Sequence, residues 1–335
     1  MKPKAHQPRQ IVRAVLAAGG LFLAALPVLA GDATRSVSER VAADPKGTVE
    51  VENVAGKITL AAWDRAEVAV SGTIGSGVKK VEVTRDGVRT SVRVILPSSM
   101  FSVGGEHSAT LTIYVPRESA ASVSLVSADL VVSGITGFEN LRSVSGNIIG
   151  EVGGEAKVKS VSGDIELEAP GKQPLNVQSV SGDIRLHSLA EQVQVASVSG
   201  NETILLGAFT RAKFETVSGD VKLVGALAAG GGIEGQSISG DLKVDLAGAP
   251  GGDYDVRTLS GDISNCFGPR AVRPQYGPGA RANFREGEGT ARVSLETKSG
   301  NVHLCNQAVL PPVPREVSDC AQAPEARERR YSLVL

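Results

Sequence analysis

Eight copies of a Ser-Gly-Asp or Ser-Gly-Asn motif carry most of the side chains in this sequence that could do chemistry. Carboxylates brought close together could bind a cation such as Ca²⁺, and a serine beside a base could act as a nucleophile. The acids are Asp164, Asp183, Asp220, Asp241 and Asp262, and the amides are Asn147, Asn201 and Asn301. Nothing distinguishes one serine of the motif from the other seven, so the sequence does not predict a catalytic serine.

Turn formation competes with cation binding as the role of these acids. Asp and Asn both hydrogen-bond nearby backbone and tolerate tight turns, and the two residue types alternate here. The nonapeptides of the Ca²⁺-binding β-roll, Gly-Gly-x-Gly-x-Asp, are absent. We therefore expect a structural role for the acids and no cofactor, with cation binding as the alternative.

The motif recurs with a regular period, which indicates how the chain positions it. Its glycines are Gly146, Gly163, Gly182, Gly200, Gly219, Gly240, Gly261 and Gly300, separated by 17, 19, 18, 19, 21, 21 and 39 residues. A period near 20 residues is typical of a solenoid, and Gly suits a sharp corner because it adopts positive φ. The sequence predicts an all-β, single-chain β-solenoid, a parallel β-helix with coils of about 18–21 residues. By analogy with the commoner parallel β-helices, we expect it to be right-handed.

The apolar residues inside each repeat support this fold. Their spacing mixes steps of 2, 3 and 4, as expected for short strands separated by corners. The spacing predicts an inward set of Val177, Val180, Ile184, Leu186, Leu189, Val193, Val195 and Val198, with Val158, Val161, Ile165, Leu167, Phe214, Val217, Val221, Leu223, Val51, Val54, Ile58 and Leu60 at equivalent places. Neighbouring coils should then lie about 4.8 Å apart.

Two cysteines occupy equivalent places in the repeat. Cys266 lies five residues after Gly261, and Cys305 lies five residues after Gly300. If the two glycines are corners of neighbouring coils, the cysteine Cα atoms should lie about 5 Å apart, within disulfide range. The spacing therefore predicts a Cys266–Cys305 disulfide, while Cys320 remains unpaired.

The N-terminus has the features of an export signal. Residues 1–30 contain a basic segment, a short apolar core and a Val28-Leu29-Ala30 cleavage site, which predicts a signal peptide. The apolar core is too short for a membrane span, and no second one follows. The remaining chain carries 31 basic and 36 acidic residues, an excess of acid that argues against nucleic acid as a partner.

We expect five segments along the chain. They are a signal peptide (1–30), a flexible leader (31–46), a β-rich N-terminal part of the solenoid with a hairpin (47–125), a regular solenoid with a loop insertion at 267–292 (126–306), and a disordered Pro-rich tail (307–335). The hairpin is predicted at Arg85-Asp86-Gly87 between two alternating runs.

Within the regular solenoid and toward its start, the sequence resembles the DUF4097 family of adhesin-like exported bacterial proteins. The resemblance covers about 47–306 and rests on Val51–Trp63, the serial Val-Ser-Gly-Asp-Ile coils, and the segments around Cys266 and Cys305. It implies a β-solenoid of the bacterial envelope and supplies no catalytic residues.

These observations favour a non-enzymatic exported protein, periplasmic or at the cell surface. It would present a repetitive surface, such as the faces carrying Lys159, Gln178, Ala196 and Glu215, to a protein, glycan or envelope partner. One alternative is a glycan-active parallel β-helix enzyme, which would need a groove with clustered acids. The other is a self-assembling structural module, which would need exposed end coils.

Overall fold

A computed structural model describes residues 34–97, 106–275 and 277–306. Every regular element in these ranges is a β-strand, and the 22 strands belong to one continuous sheet. The all-β solenoid predicted from the glycine period is confirmed. The predicted signal peptide, the tail 307–335 and Cys320 lie outside the described residues.

The N-terminal part contains seven strands. They are β1 (Arg35–Ala42), β2 (Thr48–Trp63), β3 (Glu67–Ile74), β4 (Lys80–Asp86), β5 (Arg89–Ile95), β6 (Ala109–Pro116) and β7 (Ala120–Ser133). Strands β4 and β5 pair antiparallel, as the Arg85-Asp86-Gly87 signal predicts. Strand β2 pairs in parallel with β5, β6 and β7, so it begins the parallel stack.

The prediction of a flexible leader over 31–46 is wrong for 35–42. Strand β1 pairs antiparallel with β3 along its whole length, and the Arg35 guanidinium donates to the carbonyl of Val78. Val37 and Val41 pack against the core. The segment looked unstructured in the sequence because most of its residues are exposed even though its backbone is paired.

The regular part contains fifteen strands. They are β8 (Glu139–Ser145), β9 (Ile148–Glu151), β10 (Ala156–Ser162), β11 (Ile165–Ala169), β12 (Leu175–Ser181), β13 (Ile184–Ser188), β14 (Gln192–Ser199), β15 (Glu202–Ser218), β16 (Val221–Ser239), β17 (Leu242–Leu246), β18 (Gly252–Ser260), β19 (Ile263–Asn265), β20 (Ala280–Glu286), β21 (Ala291–Ser299) and β22 (Val302–Asn306).

Each coil crosses two parallel ladders that meet at the Ser-Gly corner. The first ladder, before the corner, stacks β7, β8, β10, β12, β14, the C-terminal half of β15, the C-terminal half of β16, β21 and β18. The second ladder, after the corner, stacks β7, β9, β11, β13, the N-terminal half of β15, the N-terminal half of β16, β17, β22 and β19. One aliphatic core runs between them.

Seven of the eight corner glycines are required by close approach as well as by φ, and Gly146 is required by close approach alone. Gly219 has φ of +134°, and a Cβ added to it would lie 2.0 Å from the carbonyl oxygen of Gly200. No side chain fits there unless the coils separate.

The last coil in sequence is not the last coil in space. Strand β21 lies between β16 and β18, and β22 lies between β17 and β19. The stacking order of the corner glycines is therefore Gly240, Gly300, Gly261. The two cysteine-bearing coils are neighbours, as the spacing predicts, but in the reverse of chain order.

The predicted loop insertion at 267–292 also needs correction. It contains β20, which pairs antiparallel with β18 over seven residues. Ala280 and Ala282 are buried, and the ring of Phe284 stacks on Tyr254 with centroids 4.8 Å apart. These apolar residues make the segment a strand at the end of the stack.

Antiparallel strands close the first ladder at both ends and the second ladder at its N-terminal end. Strand β4 covers β5 and strand β3 covers β6 at the N-terminal end, and β20 covers β18 at the other. In the described part of the chain, β19 at the C-terminal end of the second ladder pairs only with β22.

One valine of each repeat faces outward, contrary to the inward set predicted from spacing. Val177 is buried and Ser179 is 5% exposed, whereas Val180 is 47% exposed. Side chains alternate along a strand, so the inward face continues from Val177 to Ser179 and Val180 points to solvent. The valines assigned wrongly are Val54, Val161, Val180, Val198 and Val217. Leu189, also predicted to face inward, is half-buried outside the core, because Ser188 and Ala190 take the inward places.

Candidate functional site

The outward valines stack into an aliphatic column along the first ladder. The ladder registers place one such residue in every coil except the inserted one, and each is between 38% and 56% exposed. The aliphatic column comprises Val54, Val126, Val144, Val161, Val180, Val198, Val217, Ile238 and Leu259. The inserted coil places Lys298 between Ile238 and Leu259, because Thr297 pairs with both Ser237 and Thr258.

The residue two positions earlier in each strand forms a flanking column on the same outer face. It runs through Ser124, Arg142, Lys159, Gln178, Ala196, Glu215 and Gln236. The face carrying Lys159, Gln178, Ala196 and Glu215 is thus one continuous surface, with the aliphatic column beside it.

Part of this surface is a groove of about 790 Å³. It is lined by the aliphatic column from Val54 to Val198 and by the flanking column from Ser124 to Ala196, with Ser143, Ser160, Ser179 and Ser197 between the two columns, and Glu52 and Val94 lie at its N-terminal end. Its lining includes one carboxylate side chain, that of Glu52, and no aromatic ring. The groove can bury an apolar ligand and lacks the acid pair that glycoside cleavage uses.

Two cations stand beside the groove on neighbouring coils. Arg142 and Lys159 are opposite each other in the register of β8 and β10. Arg142 donates from Nε to Asn140 Oδ1 at 3.3 Å, and neither residue has an ion-pair partner within the part of the chain that the structure describes. Like charges opposite each other across two strands repel, so this site favours an anion.

The corner acids and amides form a second column, and each one except the terminal Asp262 accepts a hydrogen bond from the backbone of the next coil. Asp164 Oδ1 accepts the backbone N–H of Asp183 at 2.9 Å, and Asp220 Oδ1 accepts that of Asp241 at 2.9 Å. The same contact joins Asp129 to Asn147, Asn147 to Asp164, Asp183 to Asn201, Asn201 to Asp220, Asp241 to Asn301 and Asn301 to Asp262.

This contact explains why Asp and Asn alternate. Both side chains offer an Oδ1 acceptor, and the contact needs nothing else. Within the described ranges no group of three or more His, Cys, Asp or Glu side chains is placed to hold a metal ion. The geometry supports a structural role for Asp164, Asp183, Asp220 and Asp241, whose side chains join neighbouring coils, whereas the carboxylate of Asp262 pairs with Arg273.

Cys266 and Cys305 are joined by a disulfide, with Cα atoms 4.8 Å apart. The backbone N–H of Cys266 donates to the carbonyl of Leu304 at 3.0 Å, which continues the ladder between β19 and β22. The bridge therefore ties the inserted coil to the coil stacked on it. Oxidation of this pair in the exported protein stays a prediction.

A buried carboxyl that the sequence interpretation missed lies in the aliphatic core. Glu202 is 1% exposed and stands between Ile184 and Val221 in the second ladder. Neither of its carboxyl oxygens has a hydrogen-bond partner. Burial raises the pKa of Glu202 to about 8, so the group is largely protonated at neutral pH.

Glu139 is a second buried acid, in the first ladder between Ala121 and Ala156. Burial raises its pKa to about 8, the nearby Glu151 carboxylate adds to the rise, and backbone N–H donors oppose it. One such donor is Gly153, at 3.3 Å from Oε1. Both acids were readable from the repeat, because each replaces an apolar residue at an inward position.

The family of the chain follows from comparison with known sequences. Residues 48–305 match the model of the Toastrack DUF4097 family. The chain belongs to this family. No curated protein matches the sequence.

Solved structures resemble this Toastrack protein at low identity. A candidate adhesin from Bacteroides fragilis is 14% identical, with 82% of this chain and 97% of that chain covered and a TM-score of 0.43. A candidate lipid-binding protein from Parabacteroides distasonis is 13% identical, with 80% and 96% covered and a TM-score of 0.39. These likenesses assign no ligand to the Toastrack chain.

No helix in the described ranges of the Toastrack chain has the length and hydropathy needed to cross a membrane. The Cys266–Cys305 disulfide is compatible with an exported protein.

Proposed function

We propose that this Toastrack protein is a non-enzymatic, exported protein of the cell envelope. It binds its partner through the outer face of the first ladder, where the aliphatic column and the flanking column lie side by side. The partner is a protein, a glycan or another component of the envelope.

The observation that carries the proposal is the aliphatic column itself. Isolated exposed apolar residues are ordinary on protein surfaces, but contiguous apolar surface indicates a binding site. Here one aliphatic residue per coil is repeated over successive coils, each close to half exposed. The core does not need these residues, since inward positions are filled by others such as Val177 and Ile184.

The two alternative functions have less support. A glycan-active enzyme needs a pair of carboxyl groups facing the substrate, and the groove lining contributes only Glu52. A self-assembling module needs open end coils, and antiparallel strands cover the ends of the first ladder.

Co-sedimentation with fractionated envelopes tests the proposal. The wild-type chain is mixed with inner-membrane, outer-membrane and peptidoglycan fractions of a Gram-negative envelope. Val161→Glu and Val198→Glu place charges on the aliphatic column, and the controls Thr203→Glu and Lys222→Glu place them on the second ladder.

We expect the wild type to bind at least one fraction. The affinity for that fraction should fall tenfold or more in the valine variants and less than twofold in the controls. Circular dichroism and thermal melts establish that each variant is folded. The proposal fails if the wild type binds no fraction, or if all four variants lose binding equally.

A further inference from the structure

The aliphatic column that lines the groove has the dimensions of one hydrocarbon chain. From Val126 to Val198 the aliphatic column crosses four coil spacings, about 19 Å. From the level of Arg142 and Lys159 the column extends about 12 Å to Val198, somewhat less than the roughly 15 Å thickness of one leaflet of a bilayer's hydrocarbon core, so a medium-length alkyl chain fits along it. The column is one residue wide, and the flanking column beside it carries polar or charged side chains such as Arg142, Lys159 and Gln178.

The backbone of this face leaves little for a peptide ligand to bind. β-Strand addition needs an unpaired sheet edge, but the strands under the groove are paired on both sides. Strand β10, for example, lies between β8 and β12. The groove lining also has no aromatic ring against which a sugar could stack. The apolar side chains of the aliphatic column therefore supply the contact with the ligand.

The charge at the groove selects the head group of the ligand. Arg142 and Lys159 lie beside Val144 and Val161, two positions away in each strand, and both cations are exposed. An anionic group placed between the two side chains would relieve their mutual repulsion and accept hydrogen bonds from both.

We propose that the groove binds a single-chain anionic amphiphile of the fatty-acid type. The alkyl chain lies along the aliphatic column, and the anionic head group lies between Arg142 and Lys159. The occupant is a monomeric amphiphile rather than a lipid within a bilayer, since the site is a concave groove that receives one chain. This inference rests on the proposed function, for which it names the ligand class.

Isothermal titration calorimetry with simple amphiphiles tests the inference on the full chain. Octanoate, decanoate and laurate are titrated below their critical micelle concentrations, and dodecyltrimethylammonium supplies the same chain with a positive head. We expect affinity to rise about threefold to fourfold for each added methylene, because each becomes buried. We expect the cationic amphiphile to bind at least tenfold more weakly than laurate.

Matched variants locate the site. Val161→Thr and Val180→Thr keep the side-chain shape and add a hydroxyl to the part of the aliphatic column that lines the groove. The control Val217→Thr makes the same change in the part of the column outside the groove. We expect laurate affinity to fall threefold or more in the groove variants and to stay within 1.5-fold in the control. Arg142→Gln with Lys159→Gln should remove the preference for laurate over the cation, whereas Lys222→Gln on the second ladder should not.

Three results would overturn the inference: no binding of laurate, an affinity independent of chain length, or equal weakening by Val161→Thr and Val217→Thr. If laurate does not bind but envelope binding still depends on the aliphatic column, only the ligand class is wrong. If neither depends on the column, the proposed function fails as well.

Discussion

The Oδ1 atom of Asp241 accepts the backbone N–H of Asn301 at 2.7 Å, although 60 positions separate the two residues. The same kind of bond joins Asp220 to Asp241, 21 positions apart. The same contact occurs at such unequal sequence separations because the last coil of the chain, which carries Asn301, lies between the coils that carry Asp241 and Asp262.

The column of corner acids and amides predicts that residue 241 needs a side-chain hydrogen-bond acceptor and does not need a negative charge. Asp241→Asn keeps Oδ1 and removes repulsion from Asp220, so the midpoint of thermal unfolding should stay within about 1 °C. Asp241→Ala removes the acceptor, leaves the Asn301 N–H without it, and should lower the midpoint by about 2–4 °C. Differential scanning calorimetry distinguishes the two. Equal losses in both variants would mean that the carboxylate charge matters.

The close approach of the coils predicts that Gly219 does not tolerate a side chain. In Gly219→Ala the new Cβ would meet the Gly200 carbonyl oxygen 2.0 Å away, at a φ of +134°, and we expect a loss of roughly 2–4 kcal/mol in unfolding free energy. The control is Gly87→Ala, where φ is +58° and no atom lies within 4 Å. Gly87→Ala should lower the unfolding free energy by only about 1 kcal/mol. Urea titration measures both, and equal costs would rule out the steric argument.

The disulfide is predicted to stabilise the C-terminal end of the stack. It closes a loop with a sequence separation of 39 residues, for which the chain-entropy model gives about 4 kcal/mol. The Cys266→Ala/Cys305→Ala double variant should unfold at lower temperature, and reductant should affect the wild type but not the variant.

Intact mass spectrometry after thiol alkylation provides the matching chemical test. We expect a periplasmic preparation to begin at residue 31, with one blocked pair and Cys320 alkylated. Three alkylated cysteines under oxidising conditions would contradict the pairing.

The buried Glu202 predicts a fall in stability with rising pH. Its pKa is about 8 in the folded protein against an ordinary value of 4.5. Below pH 4.5 both states hold the proton, so the group has no effect there. Between pH 4.5 and 8 the unfolded chain releases the proton and the folded chain keeps it, so the unfolding free energy falls by about 1.4 kcal/mol per pH unit.

Glu202→Leu should remove the contribution of Glu202 to this dependence and leave that of Glu139, and leucine matches the neighbours Ile184 and Val221. The gain over wild type should be roughly 3 kcal/mol larger at pH 8 than at pH 5. Glu168→Leu, at an exposed position, is the control and should give the same small difference at both pH values. A gain for Glu202→Leu that does not change with pH would mean that the carboxyl is ionised in the folded protein.

Much of the fold was predictable because one repeat unit fixes one coil. The spacing of Gly163 and Gly182 predicts the coil length, and the position of Cys266 and Cys305 relative to their glycines predicts that their coils are neighbours. The acceptor role of Asp and Asn follows from their alternation at one position. Each of these inferences uses a property that every coil shares.

The missed features depend on single coils or on strand alternation. Val180 was assigned to the core because it fits an apolar spacing, but alternation from Val177 places Ser179 inside instead. The aliphatic column could have been found by counting in steps of two toward the corner. Nothing local to Gly300 indicates that its coil enters between two earlier ones, because that order is decided by contacts between distant residues.

The position of the last coil between two coils that precede it in sequence has a consequence for biogenesis. A chain exported from its N-terminus can add coils in order only as far as Leu246. If β18 then stacks directly on β16, the Ser-Gly-Asp registers match equally well, and the place for β21 is closed. This off-pathway intermediate would be a kinetic trap, and escape would require the terminal coil to detach. The coils of Cys266 and Cys305 are neighbours in either order of stacking, so disulfide formation alone would not distinguish the trapped chain from the native one.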